Sequence, residues 1–494
     1  MMITDIQDFD ERNRVIEADG NSLVLASAGT GKTHLIVEKL NQLSKNNCPK
    51  KFAAITYTDK AANELENRLE KRNVGDRVVS QTMHKWIMKE IIKPFVSNCY
   101  NVSDKNQIKY SFKKKIASFE EGLQYVETTG QVRSYTDSKR DFAFQLALKI
   151  LKDSYSAQRY LKATYSWIFV DEYQDVNGDQ HALIQFIVGQ LKIKAFLVGD
   201  NKQEIFRFRG SNTAYLESFK DDESFTTFEL THNFRSNQEI VAYSRLFDDN
   251  YKYSSGYNHF SEEAVVNVNP KYISIKEIVN NIKTETPEDS ILILKTQNSS
   301  IDELKNSDEI FDNFQTRIFL MYSESEFSDI FSLLIRIFFR VEGIYALKKY
   351  INASLLHENF SHINSLIVDF NDSGNVEVVR QLLQLVSTLS ENKFSNNDEE
   401  IFLKAVKDDN QIKSVLGIDA QYKILTIHWA KGLEADHVII DPSEFLYHGR
   451  INRQTHYVAI TRAKKKLWLM NNDQTYKNIV ESLVQKDSTL PSKT

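Results

Sequence analysis

Two short segments of the chain combine residue types that can bind and hydrolyse a nucleoside triphosphate. The first segment, Ala26–Thr33, reads Ala-Ser-Ala-Gly-Thr-Gly-Lys-Thr and directly follows the apolar run Leu23–Leu25. In a glycine-rich turn between a strand and a helix, backbone N–H groups cradle the phosphates, the lysine reaches the outer two, and the threonine hydroxyl holds Mg²⁺. The sequence therefore predicts contacts to ATP from six consecutive residues: Ala28, Gly29, Thr30, Gly31, Lys32 and Thr33.

The second segment is a pair of carboxylates, Asp171 and Glu172, which stands 139 residues after Lys32 and directly follows the apolar run Trp167–Val170. A strand that ends in Asp-Glu can supply a second Mg²⁺ contact and a base for water. Taken alone, the pair is equally compatible with a solvated strand end. Together the two segments predict an ATPase whose Mg²⁺ is held by Thr33 and Asp171.

Length and composition limit the broad class of the protein. A chain of 494 residues is long enough for two to four domains with large cores. The net charge is −5, so any contact with nucleic acid must come from local patches. Two cysteines are too few for a cysteine-based metal site or a disulfide framework, and no apolar stretch reaches membrane-spanning length. We therefore expect a soluble protein of the cytoplasm that has no membrane partner.

Short apolar runs alternate with helical patterns in two regions of the chain, which predicts two parallel, doubly covered sheets. The runs lie at 23–25, 52–55, 77–79, 167–170 and 195–198, and again at 291–294, 318–321, 424–427, 437–440 and 467–470. We predict an α/β fold with two sheet domains, each carrying a mainly helical insert. The predicted boundaries are 1–94 with 163–235 for the first sheet domain, 95–162 for its insert, 236–339 with 419–494 for the second sheet domain, and 340–418 for its insert.

The first insert is more basic than the rest of the chain. Residues 105–162 contain twelve Lys and Arg but only six Asp and Glu, and tyrosines and phenylalanines are interleaved with them. The pattern is compatible with solvated helix faces. It is also compatible with an inserted domain that contacts a nucleic-acid backbone.

The glycine-rich turn and seven further segments, in this order, resemble the motifs of the UvrD/Rep/PcrA DNA helicases of superfamily 1A. The seven segments are Ile55–Ala62, Gln81–His84, Val170–Asp175, Gly199–Gly210, Asn233–Ser236, Thr426–Glu434 and Tyr457–Ala463. The resemblance implies two RecA-like domains, 1A and 2A, with inserts 1B and a shortened 2B. It also implies a DNA-dependent ATPase that uses ATP and Mg²⁺.

The resemblance assigns further residues to the ATP site. Phosphoryl transfer needs positive charge around the γ-phosphate, and Arg235 and Arg462 are the candidates, although either alone is compatible with a surface salt bridge. Gln203 is suited to orient water or sense the γ-phosphate. The family roles carried over to Phe234 and Glu434 are stacking on adenine and contact with the ribose. Two positions depart from the family, since Glu11 replaces the usual adenine-reading Gln and His34 the usual Arg. A carboxylate at position 11 can accept from the adenine amino group but cannot donate to ring N7 unless it is protonated.

Single-stranded DNA is expected to cross both sheet domains. Six residues match family positions that contact the strand: Tyr57, Thr58, His84, Phe206, Phe208 and His428. Aromatic faces stack on any base, so such contacts tolerate all sequences. Phe206 and Phe208 are also compatible with a role in the core.

The second insert is shorter than the family's, and because only 32 residues follow Arg462 we expect no appended nuclease domain. In this the chain resembles the helicase-like subunits of the Gabija anti-phage systems, whose partner is an OLD-type ATPase–Toprim nuclease. We therefore expect an ATP-driven translocase or helicase on single-stranded or 3′-tailed DNA, with the family's 3′→5′ direction. The alternative is a DNA-end or nucleotide sensor that activates a partner nuclease.

Overall fold

The computed structural model describes residues 7–46, 48–74, 77–102, 108–248, 263–316, 321–322, 325, 327–390, 393–416 and 420–488. Of the strand predicted at 318–321, residues 318–320 lie outside these ranges. The chain divides into two compact units, one made of residues 1–303 and 425–494 and the other of residues 304–424. None of the helices in the described ranges is long and apolar enough to cross a membrane.

The N-terminal segment alternates strands and helices up to the first insert. Its elements are α1 (Phe9–Glu17), β1 (Asn21–Ala26), α2 (Lys32–Ser44), β2 (Lys51–Thr56), α3 (Asp59–Glu70), β3 (Val78–Thr82), α4 (Met83–Ile87) and α5 (Lys93–Phe95). A π-helical turn, Met88–Ile92, joins α4 to α5.

The first insert contains a two-stranded sheet in addition to the expected helices. Its elements are β4 (Lys109–Ile116), α6 (Phe119–Thr129), β5 (Gln131–Tyr135), α7 (Phe142–Asp153) and α8 (Tyr155–Thr164). The strands β4 and β5 pair in parallel. The sequence did not reveal β4, because the lysine-rich stretch around Lys114 and Lys115 suggested a charged helix face. Arg133, one of the twelve Lys and Arg of residues 105–162, is only 8% exposed, and its guanidinium lies 3.5 Å from the ring centroid of Tyr125.

The chain then completes the first sheet with β6 (Tyr165–Val170), α9 (Gly178–Gly189), β7 (Lys194–Gly199), α10 (Thr213–Lys220) and β8 (Phe225–Leu230). The strand order is β3-β2-β6-β7-β1-β8, and all neighbours are parallel. Helices cover both faces, which explains why β6 and β7 are almost uniformly apolar. Because the strands are parallel, their carboxyl ends lie along one edge, which brings together the segments that follow β1, β2, β6 and β7.

The second sheet draws its elements from both sides of the 304–424 unit. Those before it are α11 (Gln238–Arg245), β9 (Val265–Val268), α12 (Ile275–Glu285), β10 (Ile291–Lys295) and α13 (Asn298–Lys305).

The unit formed by residues 304–424 is helical and has a core of its own. Its helices are α14 (Ser328–Phe338), α15 (Ala353–Glu358), α16 (Phe360–Ser373), α17 (Val376–Leu389), α18 (Asn396–Ala405) and α19 (Asp409–Leu416). Phe331 and Phe338 of α14 pack with Leu382 and Phe402 in one hydrophobic cluster. The helical unit therefore begins before the expected boundary at 340, since α14 belongs to this core.

The remaining elements are β11 (Tyr422–Thr426), α20 (Ile427–Ala430), β12 (Ala435–Ile440), β13 (Leu446–Tyr447), β14 (Arg450–Ile451), α21 (Arg453–Ile460), β15 (Ala463–Met470) and α22 (Gln474–Ser488). The strand order of the second sheet is β11-β10-β12-β15-β9, and β10, β12, β15 and β9 are parallel to one another. Two parallel sheets confirm the predicted α/β fold class.

Candidate nucleotide and DNA site

The glycine-rich turn between β1 and α2 has the backbone that phosphate binding requires. Gly29 and Gly31 have φ angles of 74° and 79°, in the left-handed region that side chains disfavour. The Thr30 hydroxyl donates to Ser27 O at 2.9 Å and fixes the turn from within. The helix α2 begins at Lys32, so its first N–H groups lack intrahelical acceptors and form a ready anion site.

The carboxylates predicted from the sequence lie next to this turn. The Nζ of Lys32 is 3.3 Å from Oε1 of Glu172, and Asp171 Oδ1 accepts a hydrogen bond from the Glu172 N–H at 2.9 Å. Glu172 has a φ of 53°, which is rare for a residue with a side chain and marks local strain. The strand end therefore holds the Glu172 carboxylate against the lysine at some conformational cost.

Burial and the neighbouring charges shift the pKa values of the two carboxylates in opposite directions. Burial, followed by the Glu172 charge, raises the pKa of Asp171. Burial alone would raise the pKa of Glu172 too, but Lys32 and Lys431 lower it below the usual range. The pKa of Lys32 is raised, because Glu172, Asp200 and Asp171 outweigh its burial. Glu172 is thus the carboxylate that stays ionised.

The residues at this edge fit Mg²⁺ bound together with a nucleotide. The Thr33 hydroxyl and the Asp171 carboxylate are hard oxygen donors of the kind that Mg²⁺ prefers, and Mg²⁺ commonly takes its other ligands from phosphates and water. Within the described ranges, no group of three or more His, Cys, Asp or Glu side chains could hold a metal by itself. That donor set suits a metal that arrives with phosphate groups.

Two arginines approach the same edge, Arg235 from the segment between β8 and α11 and Arg462 from the segment between α21 and β15. Arg462 is only 2% exposed, and its Nη2 donates to Gln203 Oε1 at 3.0 Å while its Nε donates to Val458 O at 3.0 Å. Burial, and then the charge of Arg235, lowers the pKa of Arg462 to about 10. Arg235 forms an ion pair with Glu434 at 2.6 Å. The structure thus brings together Gln203 with Arg462 and Arg235 with Glu434.

Sequence reasoning gave no role to Lys431, which joins the two sheets. Its Nζ donates to Asp175 Oδ1 and to the Gln203 carbonyl oxygen, both at 2.6 Å. Burial raises the pKa of Asp175 to about 7 although Lys431 opposes the shift. The only signal for this lysine was its place in the segment Thr426–Glu434, where His428 and Glu434 but not Lys431 had been given a function.

The expected base-stacking residue, Phe234, is 48% exposed beside the glycine-rich turn, and its N–H donates to Gly29 O at 2.9 Å. The guanidinium of Arg12 lies 4.8 Å from the centroid of the Phe234 ring, and Arg12 Nη2 donates to Thr30 O at 2.8 Å. Arg12 was not singled out from the sequence. Its neighbour Glu11, expected to read adenine, instead forms an ion pair with Arg14 at 2.7 Å.

Two further positions near the turn differ in what they contribute. His34 is exposed and lies 3.7 Å from Glu38 on α2. Asn233, which sequence reasoning did not single out, donates from Nδ2 to Ala28 O at 2.8 Å and accepts the N–H groups of Arg235 and Ser236 at Oδ1. This asparagine ties the segment that carries Phe234 and Arg235 to the glycine-rich turn.

An aromatic cluster follows the same edge of the sheet. Tyr57 and Phe208 are exposed, Phe208 by 52%, and His428 lies 5.5 Å from the Phe208 ring. The guanidinium of Arg209 lies 5.4 Å from the Phe208 ring. Phe206 stacks on Tyr57 at 5.6 Å but is only 7% exposed and packs in the core of the second sheet. The structure therefore supports the core alternative for Phe206 and leaves Tyr57, Phe208 and His428 as candidate DNA contacts.

The two other expected DNA residues are held by local hydrogen bonds. His84 Nε2 lies 2.8 Å from Asp141 Oδ2, and although burial would lower its pKa, this carboxylate raises it. The Thr58 side chain accepts the Ala61 N–H at 3.2 Å and so caps α3. A cavity of about 240 Å³, lined by Tyr57, His84 and Arg209 among others, runs from this cluster to Asp171 and Glu172.

A relative that matches this chain over almost the whole length of both proteins shows the family. "Gabija protein GajB" of Bacillus cereus (strain VD045) is 30% identical over 96% of this chain and 98% of its own length. The chain belongs to the GajB family. This membership confirms the resemblance to the helicase-like subunits of Gabija systems.

Two family models match parts of this GajB-family chain. An AAA domain matches residues 13–209, and a UvrD-like helicase C-terminal domain matches residues 423–470, which include Lys431 and Arg462. Two helicases are similar over about half of the chain. ATP-dependent DNA helicase Rep of Buchnera aphidicola subsp. Acyrthosiphon pisum is 28% identical over 50% of this chain and 45% of its own length. ATP-dependent DNA helicase PcrA of Staphylococcus aureus (strain Mu50) is 23% identical over 47% and 38%. The predicted UvrD/Rep/PcrA-like family and helicase enzyme class are confirmed.

Proposed function

We propose that this GajB-family protein hydrolyses ATP with Mg²⁺ and uses the energy to move along single-stranded or 3′-tailed DNA. The observation that carries the proposal is the convergence at one sheet edge of Lys32, Glu172, Gln203 and Arg462, the last of them contributed by the second-sheet segments. A site completed by side chains from both sheets couples hydrolysis to their movement.

The roles of the side chains follow from their contacts. Glu172, kept ionised by Lys32 and Lys431, accepts the proton of the attacking water. Lys32, Arg235 and Arg462 place positive charge around the transferred phosphoryl group, where it counts most in the transition state. Thr33 and Asp171 hold Mg²⁺, which neutralises phosphate charge when bound. Phe234 offers an exposed face for the base, and Glu434 is placed beside Arg235 for the ribose.

The DNA strand crosses the exposed aromatic cluster of Tyr57, Phe208 and His428. Stacking on aromatic rings holds any base and so permits stepwise movement along a strand. The direction of movement that the family resemblance implies is 3′→5′. Tyr57 of this cluster lines the same cavity as Asp171 and Glu172, which gives a short physical route from base contact to hydrolysis.

The partner that the Gabija resemblance implies is an OLD-type ATPase–Toprim nuclease of the GajA kind, in a cytoplasmic defence complex. A second candidate function is a DNA-end or nucleotide sensor that activates this nuclease. Two observations support this second candidate function. His34 is exposed and Glu11 is paired with Arg14, so neither His34 nor Glu11 contributes to a pocket for the base. The two functions differ in whether the isolated chain hydrolyses ATP.

The test is steady-state ATP hydrolysis by the isolated chain, with and without single-stranded DNA. We expect strong stimulation by DNA, complete loss in Lys32→Ala, and a loss of about 10²–10⁴-fold in Glu172→Gln with nucleotide binding retained. Lys71→Ala, an exposed lysine at the end of α3, is the matched control. Hydrolysis that requires the partner nuclease would favour the sensor, and equal hydrolysis by Glu172→Gln and the natural chain would remove the proposed base.

A further inference from the structure

A buried glutamine, Gln174, lies directly against the proposed base. It stands two residues after Glu172, and its side chain is 0% exposed. Its Nε2 donates to Glu172 Oε2, and its Oε1 accepts the Asp200 N–H at 2.9 Å. Glu172 follows the end of β6 and Asp200 follows the end of β7, so one amide joins the carboxyl ends of two neighbouring strands.

The two partners of Gln174 determine which way its amide points. An ionised carboxylate can only accept hydrogen bonds, and a backbone N–H can only donate. If the amide were turned over, its oxygen would face the Glu172 carboxylate and its NH₂ group would face the Asp200 N–H. The bond to the carboxylate is also charge-assisted, which makes it roughly twice as strong as a bond between neutral groups. Gln174 is therefore a donor to the base and to no other orientation of it.

The hydrogen bonds continue from Gln174 to the second-sheet segments. Asp200 Oδ2 accepts Gln203 Nε2 at 2.8 Å, and Gln203 Oε1 accepts Arg462 Nη2 at 3.0 Å. Gln174, Asp200, Gln203 and Arg462 are all buried. Buried polar networks with satisfied members are rigid, so this series links the position of Glu172 to that of Arg462.

The conformation of Glu172 needs such a restraint. Its φ of 53° is costly, and a strained backbone persists only where its surroundings hold it. Lys32 is the other close contact of the carboxylate, at 3.3 Å, but a lysine is a point charge on a flexible stem, and bound phosphates attract it. The space beside the amide is also limited, because a Cβ on Gly199 would lie 3.0 Å from Gln174 Oε1. Gln174 is thus the contact that keeps its direction when a nucleotide binds.

We propose that Gln174 is a positioning residue for ATP hydrolysis, which holds the Glu172 carboxylate toward the attacking water and ties its position to Arg462. This inference rests on the proposed function, in which Glu172 is the base. Because the amide holds Oε2, the oxygen that accepts the proton of water is Oε1, on the side of Lys32. Gln174 acts only through Glu172 and exchanges no proton with the substrate.

The experiment is a double-mutant cycle on the single-turnover rate of ATP hydrolysis with single-stranded DNA present, because that rate reports the chemical step. We expect Gln174→Met to lower the rate about 10²-fold, the loss that a misplacement of about 1 Å can cause, with unchanged affinity for a non-hydrolysable ATP analogue. Gln174→Glu keeps an acceptor for the Asp200 N–H but has no donor for Glu172, so it should lower the rate at least as much.

The second half of the cycle separates positioning from a structural role. In the Glu172→Gln background, where the base is already absent, either change at Gln174 should alter the rate by no more than about twofold. Arg462→Lys combined with Gln174→Met should cost less than the product of the two single losses, because both act on one network. Gln174→Glu serves in the same comparisons if Gln174→Met does not fold.

Gln411→Met is the matched control. Gln411 is also a buried glutamine whose Oε1 accepts a backbone N–H, from Met321 at 2.9 Å, but it lies in the 304–424 unit. Its change to methionine should lower stability without slowing hydrolysis.

Three results would overturn the proposal: natural rates in both Gln174 variants, the same loss in the natural and Glu172→Gln backgrounds, or multiplicative losses with Arg462→Lys. A natural rate in Glu172→Gln alone would instead remove the base, and with it the proposed function, whatever the Gln174 variants do.

Discussion

At the scale of single residues, the role proposed for Arg462 depends on how its guanidinium is held in place. Its guanidinium is buried, and three of its nitrogens donate to fixed acceptors, including Val458 O and Gln203 Oε1. An ammonium group cannot reproduce this planar fork. We expect Arg462→Lys to lower the rate of ATP hydrolysis by about 10²–10³-fold, the loss typical of removing one preorganised stabiliser.

The measurement is kcat and KM for ATP in the presence of DNA, with Arg450→Lys, an exposed arginine of β14, as the control. The expected change lies in kcat, since the fork acts on charge that develops during transfer. A kcat equal to that of the natural chain would show that Arg462 is only a structural residue.

Two buried histidines, His181 and His456, should make the folded state less stable in acid. Burial lowers the pKa of His181 to about 4 and that of His456 to about 3, from an ordinary value near 6.5. A lowered pKa in the folded state means that stability is present above pH 6.5 and is lost as the pH falls toward 4, because the unfolded chain takes up protons first. Between pH 7.5 and 5.0, protonation of each histidine in the unfolded chain should lower the free energy of unfolding by about 2 kcal/mol.

Urea unfolding at the two pH values measures this loss. We expect His181→Gln to reduce it by about 2 kcal/mol, because glutamine cannot take up a proton in this pH range. His357→Gln, at an exposed position on α15, is the control. An identical acid loss in His181→Gln and the natural chain would contradict the argument.

Lys32 and the Asp171–Glu172 pair were identified because glycines and apolar runs frame them in the chain. Arg12 and Asn233 were missed, since their importance comes from contacts with Thr30 and Ala28 that lie 18 and 205 residues away. Phe206 and Phe208 have the same chemistry and stand two positions apart, so only the fold could bury one and expose the other.

At the scale of elements, the turn between β1 and α2 depends on the absence of a side chain at Gly29. A Cβ there would lie 2.6 Å from Asn233 Nδ2, and the φ of 74° would be strained as well. We expect Gly29→Ala to displace Asn233 and with it Phe234 and Arg235, and so to weaken ATP binding at least tenfold while the sheets remain folded. Isothermal titration with a non-hydrolysable ATP analogue measures the loss.

The matched control for this change is Gly20→Ala, because a Cβ at Gly20 meets no atom within 4 Å and the residue precedes the same strand. Circular dichroism should show equal helix content for both variants. If Gly29→Ala binds the analogue as tightly as Gly20→Ala does, the close packing of Asn233 is not needed for the nucleotide site.

The elements themselves were predictable wherever both faces of a strand are covered. The strands β1, β2, β6, β7, β10 and β12 are almost continuous apolar runs, which is the pattern of a buried parallel strand. The edge strand β8 contains two threonines and a glutamate, and β4 contains four lysines, so neither has that pattern. The polar residues of an edge strand conceal it from sequence reasoning, although residues such as Phe228 and Leu230 of β8 are buried in the core.

At the scale of the whole molecule, the chain contains a helical unit, residues 304–424, with a core separate from the two sheets. The sequence predicted a shortened helical insert but placed its start at 340. The apolar periodicity of α14 does not reveal which core the helix joins, since an amphipathic helix packs equally well on a sheet or on other helices. Helix identity was therefore predictable, and membership of a unit was not.

We expect communication between the nucleotide and DNA sites to run through Lys431. Its Nζ bonds Asp175 and the Gln203 carbonyl oxygen, and it lies 5.2 Å from the ring of Phe206, which stacks on Tyr57. One side chain of the second-sheet segments thus touches the nucleotide edge and the aromatic cluster together.

In the natural chain we expect a non-hydrolysable ATP analogue to change the affinity for single-stranded DNA by about 5–150-fold, the range typical of coupled sites. In Lys431→Met that ratio should fall close to one. Lys477→Met, at an exposed lysine of α22, should keep the natural ratio.

Because coupling free energy is reciprocal, DNA must change the affinity for the analogue by the same factor, which supplies a second measurement on the same proteins. A Lys431→Met variant that keeps the natural ratio in both directions would show that the two sites communicate by another route.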